Sequence, residues 1–259
     1  MIGTEIVHAF DDGREVRVTL PDGYDPDGPL LPVVVCNDPQ WTYGTARDVC
    51  LNLSMARQMP KVVVVGVGWE TSGIREVVRR RAGAYTPTPG EFPPRSVPAG
   101  DPPEAGGAAA HLEWIRSTVL ADLESRYRID PTDRTVVGHS FSALFGLFTL
   151  VTRPDSFRRY LLASPSVWWN DRVILGIAAD ELPRHADVHA DVFVSVGADE
   201  EDTLPFPMVT NARLAHDLLA EHRPPSLHLH PLAVLDGEDH YSTVATAIGR
   251  GLRTLFAQP

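Results

Sequence analysis

Ser140 lies in Arg134-Thr-Val-Val-Gly-His-Ser-Phe-Ser-Ala143, where a β-branched run passes directly into a helix-forming one. A serine at such a junction can be held above a sheet as a nucleophile. The tight turn needs small residues two positions either side, because their Cα atoms press on adjacent backbone. Gly138 meets that need, and Ser142 is small but departs from the final glycine of the G-x-S-x-G pattern. The following helix would aim its N-terminus at a developing oxyanion, with the Phe141 N–H as one donor. The ordinary alternative is a serine capping a helix. The strand-turn-helix setting favours the nucleophile.

A serine hydroxyl needs a base, since its own pKa is far above 7. For a nucleophile in such a turn the chain order is Ser, acid, His. The chain has ten histidines, so setting matters more than presence. His240 stands in Leu235-Asp-Gly-Glu-Asp-His-Tyr-Ser242, between an apolar run and a helical pattern. A loop at a strand end is where a base can reach Ser140. The acid is expected after the preceding strand, Asp191-Val-Phe-Val-Ser-Val-Gly197, in Ala198-Asp-Glu-Glu-Asp202. Glu200, three residues after Gly197, is the choice, with Asp199, Glu201 and Asp202 as rivals. Its task would be to accept the His240 Nδ1–H and stabilise the imidazolium.

The elements that must position these groups alternate in type. Short runs suited to buried strands are Glu15 to Leu20, Pro32 to Cys36, Lys61 to Val67, Arg134 to Val137, Tyr160 to Ala163, Asp191 to Val196 and Leu227 to Val234. Helical patterns cover Thr45 to Met59, Ala108 to Tyr127, Ala143 to Val151, Arg172 to Asp180, Val209 to His222 and Thr243 to Phe256. This alternation predicts an α/β fold with a mostly parallel, doubly wound sheet. Thr4 to Phe10 and Arg14 to Leu20 flank Asp11-Asp-Gly13, which predicts an antiparallel N-terminal hairpin. Tyr85 to Gly107 holds seven prolines and is read as a long loop insertion within a single domain spanning 1–259.

With 43% hydrophobic residues the chain can bury a substantial core. The net charge of -11 argues against general affinity for nucleic acid or anionic membrane. No run approaches the 18 apolar residues of a membrane span, and no basic-then-apolar leader opens the chain. A cytoplasmic location is the expectation. Cys36 and Cys50 are read as two buried thiols rather than a disulfide.

Together these pieces resemble the putative-esterase family of α/β-hydrolases, which includes enterochelin (siderophore) esterases, esterase D and mycolyltransferases. The segments that carry the resemblance are Gly138-His-Ser-Phe141, Ala163-Ser-Pro-Ser-Val-Trp-Trp-Asn170, Val196-Gly-Ala-Asp-Glu-Glu201 and Gly237-Glu-Asp-His-Tyr-Ser242. Arg81 to Thr88 is similar to the stretch before the family's variable loop. The resemblance implies that Ser140, Glu200 and His240 match the triad positions. Some siderophore esterases take their acid from before the nucleophile. The matching region here, Gly106-Gly-Ala-Ala-Ala110, has no carboxylate, which favours the later loop. A second oxyanion donor is implied after Val33 to Cys36, where this chain reads Asn37-Asp-Pro-Gln-Trp41. Pro39 has no N–H, so Gln40 or Trp41 would supply it.

The resulting expectation is hydrolysis of a small-molecule carboxylic ester, of siderophore ester or lactone type, through an acyl-enzyme. No cofactor is expected, and the oligomeric state is left open. Acyl transfer to an alcohol, and ligand binding without catalysis, are the rivals. Trp168 and Trp169 are candidate pocket walls, with core packing as the equal alternative. Arg79, Arg80 and Arg81 read first as a solvated face; Arg81 is the candidate for recognising an anionic or catecholate-like group. His228 with His230, and His185 with His189, each lack a third ligand at metal spacing, so no metal site is expected. Gly66-Val-Gly68 is read as a turn after a strand, not a dinucleotide loop.

Overall fold

Valine-rich segments with no polar face can satisfy their backbone only inside a sheet covered on both sides. The computed structural model describes residues 4–10, 12–70, 73–92, 104–185, 188–203 and 206–257. Its strands are β1 (Glu5–Ala9), β2 (Arg14–Thr19), β3 (Leu31–Asn37), β4 (Val63–Trp69), β5 (Ile129–His139), β6 (Arg159–Ala163), β7 (Ala190–Gly197), β8 (Leu227–Leu229) and β9 (Ala233–Leu235). They form one sheet in the order β1-β2-β4-β3-β5-β6-β7-β8, with β9 also paired to β7. β1 pairs antiparallel with β2 and β2 antiparallel with β4, while β3 to β9 run parallel. The expected α/β-hydrolase fold and its antiparallel start are therefore present.

Side chains on β3 show why both faces are apolar. Val33 and Val35 enter the core on one side, and Val34 and Cys36 the core on the other. The first core is covered by α2 (Ile74–Tyr85), α3 (Ala108–Trp114), α4 (Ala121–Arg126), α5 (Phe141–Thr152) and α6 (Trp169–Glu181). A π-helical stretch, Ile115–Leu120, joins α3 to α4. The short α7 (Glu200–Thr203) and α8 (Met208–His222) follow β7. The second core lies under α1 (Pro39–Met55) and α9 (Thr243–Leu255). α5 is buried all round from Phe141 to Val151, as its nearly unbroken apolar sequence requires.

Several sequence expectations change in the structure. The run Leu227 to Val234 is two short strands, because Pro231 has no N–H for the ladder. α1 begins at Pro39 and not Thr45, with proline in its favoured first-turn place. α2 is not evident in the sequence, because the three consecutive arginines Arg79 to Arg81 hide a short apolar stripe through Val77, Ala82 and Tyr85. The Pro-rich segment has no helix or strand at 86–92 or 104–107, and its two ends are tied by Gly106 N–H to Thr86 Oγ1 at 2.8 Å. Residues 93–103 of that segment lie outside the described residues.

Cys36 and Cys50 are free and buried, and burial raises the Cys50 thiol to about 12. Among the described residues no helix is long and apolar enough to cross a membrane.

Candidate active site

β5 ends at His139, and Ser140 caps α5 with φ 61° and ψ −118°. Few non-glycine residues tolerate that conformation. Surrounding backbone enforces it: Ser140 N–H donates to Ala163 O at 3.0 Å, and Ser140 O accepts from Leu144 N–H at 3.0 Å. A Cβ on Gly138 would come within 2.3 Å of Ser142 O, so only glycine fits there. Ser142, where the family pattern has glycine, is wholly buried. Its hydroxyl accepts the His139 N–H and donates to His139 O, both at 2.9 Å. The departure from G-x-S-x-G is thus absorbed as a polar clamp inside the turn.

The His240 loop is held against the end of β7. Ala198 N–H donates to Leu235 O at 2.8 Å, and Asp199 N–H to Glu238 O at 3.2 Å. Gly197 permits this approach, since a Cβ there would meet Glu238 O at 2.3 Å. Asp239 Oδ1 accepts the Tyr241 and Ser242 N–H groups at 2.8 Å each, fixing the turn into α9.

The three expected residues meet. His240 Nε2 lies 3.1 Å from Ser140 Oγ, and His240 Nδ1 lies 2.6 Å from Glu200 Oε2. The Glu200 side chain is wholly buried. Its other oxygen accepts Gly197 N–H at 2.8 Å and Ser164 Oγ–H at 2.5 Å. Among the rivals, Glu201 faces outward and bonds to Thr210. With both oxygens engaged, Glu200 can hold one imidazole tautomer, leaving Nε2 to accept the serine proton.

Two further serines, Ser164 and Ser166, join the site without a clear local signature in the sequence. Ser164 sits at φ 45° and orients Glu200; Ser166 Oγ lies 3.2 Å from Ser140 Oγ. Their signal was the unusual Ser164-Pro-Ser166 after β6, legible as polar residues at a parallel strand end. His139 also belongs to the site: its ring packs on His240 at 4.5 Å between centroids. Burial, then the charges of His240 and Arg81, holds the His139 pKa well below the usual histidine range, so it stays neutral.

Phe141 opens α5, and its N–H bonds to no carbonyl among the described residues. On the second arm, Asp38 is left-handed at φ 57° and its N–H reaches Tyr85 Oη at 3.2 Å. Trp41 N–H donates to Asp38 O at 3.0 Å. That bond occupies the Trp41 N–H, whereas the Gln40 N–H makes no such bond among the described residues.

The arginine cluster divides. Arg79 and Arg80 pair with Glu76 at the surface. Arg81 does not belong to that solvated face. It is buried, with Nε and Nη2 on Asp38 at 2.8 and 2.7 Å. Its guanidinium carbon stands 5.2 Å from the Trp41 ring centre and 5.4 Å from that of Phe141. Trp168 is half-buried, 5.5 Å from Phe141 and stacked on Phe206 at 3.9 Å. Trp169 is wholly buried and cannot line an open pocket. It packs on Phe92 at 4.7 Å and donates Nε1–H to Thr88 O, so the core-packing alternative holds for it.

A cleft of about 1060 Å³ opens at the other end of the strands, lined by Arg134, Asp155, Arg158, Arg184 and Asp191 among others. It contains none of the residues just described.

Comparison with known proteins decides the family. Residues 7–217 match the model of the family described as "Putative esterase". The chain belongs to that family. It is similar to the ferri-bacillibactin esterase BesA of Bacillus subtilis, at 27% identity over 97% of this chain and 89% of that protein. It is also similar to the siderophore triacetylfusarinine C esterase of Aspergillus fumigatus, at 29% identity over 88% and 82% of the two chains. The crystal structure of the BES protein from Bacillus cereus superposes with a TM-score of 0.83, at 24% identity, over 100% of this chain and 97% of that one. Carboxylic ester hydrolysis is accordingly the activity of this chain.

Proposed function

We propose that this esterase hydrolyses the backbone esters of siderophore-type molecules by a Ser140–His240–Glu200 triad. The observation that carries the catalytic half is the unbroken hydrogen-bond chain from Ser140 Oγ through His240 to buried Glu200. Ser140 Oγ attacks the ester carbonyl while His240 Nε2 takes the hydroxyl proton. Negative charge gathers on the carbonyl oxygen, toward the Phe141 and Gln40 N–H groups. His240 then gives its proton to the departing alkoxide. A water, deprotonated by His240 in turn, attacks the acyl-enzyme and regenerates Ser140. Glu200 stabilises the imidazolium in both halves.

The substrate class rests on the two siderophore-esterase relatives and on the lining beside Ser140. Trp41 is exposed, and half-buried Trp168 stacks on half-buried Phe206, so these three give flat apolar faces, while the charge of Arg81 is taken up by Asp38. Such a surface suits a bulky, flat iron-chelating head group through stacking. The purified protein should be offered a catecholate trilactone, a fusarinine-type triester and simple p-nitrophenyl esters, each with and without iron. Hydrolysis of a siderophore ester with a higher kcat/KM than the simple esters supports the reading. Cleavage of simple esters alone overturns the substrate class, and product esterified to an added alcohol in place of free acid would indicate acyl transfer.

A further inference from the structure

The reading of His228 and His230 changes once the strands are paired. The two alternate along one face of β8 and the residue just beyond it, and their rings are 4.3 Å apart. β7 lies parallel beside them in a register that sets Asp191 opposite His228. The Asp191 carboxylate thereby becomes the third ligand that sequence spacing did not provide, since it is 37 residues away in the chain. His228 Nδ1 lies 3.2 Å from Asp191 Oδ1, and one ligand atom from each of the three residues falls within 4.8 Å of the others.

We propose that Asp191, His228 and His230 form a binding site for a borderline divalent transition-metal ion such as Zn2+, apart from the ester-cleaving site. Two imidazoles and one carboxylate are a recurrent three-ligand set for zinc, with water completing the sphere. Tetrahedral bonds of about 2.0–2.1 Å hold ligand atoms about 3.3 Å apart. Binding would draw the three ligand atoms, now within 4.8 Å of one another, together to that spacing.

The backbone behind the ligands is fixed. His230 N–H donates to Val192 O at 2.9 Å, and His230 O accepts from His216 Nε2–H at 3.0 Å. Among the described residues no arginine or lysine pairs with Asp191. Arg159, opposite Asp191 on β6, is engaged by Asp133 and Leu255 O and packs on Phe256. Among the described residues the Asp191 carboxylate bonds only to His228. His228 is largely exposed, and Asp191 also lines the large cleft at this end of the sheet, so an ion has a path of entry. Along β7 the site stands roughly 20 Å from the Glu200 end, at about 3.3 Å per residue. A bound ion would cross-link the edge strand β8 to β7.

Metal-stripped protein should be titrated with ZnCl2 by calorimetry and with CoCl2 by visible absorption. We expect one ion per chain, cobalt ligand-field bands, and a Tm raised by excess zinc. His228→Asn/His230→Asn should fold, lose all three responses and keep the metal-free Tm; Asp191→Asn should weaken binding. His240→Asn, which removes the imidazole beside Ser140, should bind as the wild type does. Absence of binding to the wild type overturns the proposal. So does one-to-one binding that survives in the double variant or is lost in His240→Asn.

Discussion

Arg81 meets Asp38 through two parallel hydrogen bonds, Nε to Oδ1 and Nη2 to Oδ2, at a point where neither charge is open to water. Asp38 is the left-handed residue that turns β3 into α1, so this pair fixes the turn that presents Gln40. A buried bidentate pair is costly to break from one side, because the remaining charge is stranded. Arg81→Leu should lower stability by about 3–5 kcal/mol. Asp38→Asn in the same chain should restore part of it. Arg81→Lys should be intermediate, since an ammonium cannot reproduce the fork. Urea unfolding of the four proteins measures this; equal stability of Arg81→Leu and wild type would exclude the role.

His111 lies between Trp69 and Trp114, with Tyr85 and Phe145 against its edges, and its Nε2 has no partner among the described residues. Burial, with a smaller contribution from the Arg14 charge, lowers its pKa from 6.5 to about 3. The unfolded chain therefore takes up a proton near pH 6.5 that the folded chain refuses. Stability falls as pH drops from about 6.5 toward 3. Between pH 8 and pH 5 this one group removes about 2 kcal/mol. His111→Phe should lose less stability over that interval by about the same amount, while His139 acts alike in both proteins and cancels. Denaturant unfolding at the two pH values gives the difference, and parallel losses would show that His111 is not the cause.

The Ser140 backbone separates activity from stability. Ser140→Ala removes the proposed nucleophile and keeps the strained φ of 61°; ester hydrolysis should fall by about 10³ or more. Ser140→Gly removes both. Left-handed strain costs about 1–3 kcal/mol for an L-residue, partly offset by the greater freedom of an unfolded glycine. Ser140→Gly should therefore be about 1 kcal/mol more stable than Ser140→Ala, with equally little activity. Hydrolysis retained by folded Ser140→Ala would remove Ser140 as the proposed nucleophile.

What the sequence made legible follows from how far each signal reaches. The β-branched runs specify strands locally, and the Gly138-to-Ser142 turn announces itself in five residues. The burial of Arg81 is not legible locally, because its partner Asp38 is 43 residues distant and adjacent Arg79 and Arg80 share a solvated face. Asp191, 37 residues from His228, is hidden by the same distance. Ser164 and Ser166 look like ordinary turn residues until β5, β6 and β7 are set side by side. Trp168 and Trp169 are neighbours in sequence, yet Trp169 is wholly buried against Phe92 and Thr88 while Trp168 stays half-open on Phe206.

The acidic loop after β7 allows the sharpest test of the proposed triad. Only Glu200 turns inward: its Oε2 faces His240 Nδ1, and its Oε1 is fixed by Gly197 N–H and Ser164 Oγ–H. Glu200→Gln preserves shape and one acceptor but cannot balance the imidazolium, so kcat should fall by roughly 10² to 10⁴. Asp199→Asn, Glu201→Gln and Asp202→Asn leave that contact untouched and should each cost less than about tenfold. Ser164→Ala removes one of the two donors holding Glu200 Oε1, and the Gly197 N–H remains. Its effect should be intermediate, about tenfold in kcat with KM nearly unchanged, because Ser164 touches Glu200 and not the substrate. In Ser164→Ala/Glu200→Gln the loss should stay close to that of Glu200→Gln alone, since residues acting through one contact do not add. Additive losses would mean that Ser164 acts on Ser140 by another route, and full activity in Glu200→Gln would leave His240 working without its carboxylate.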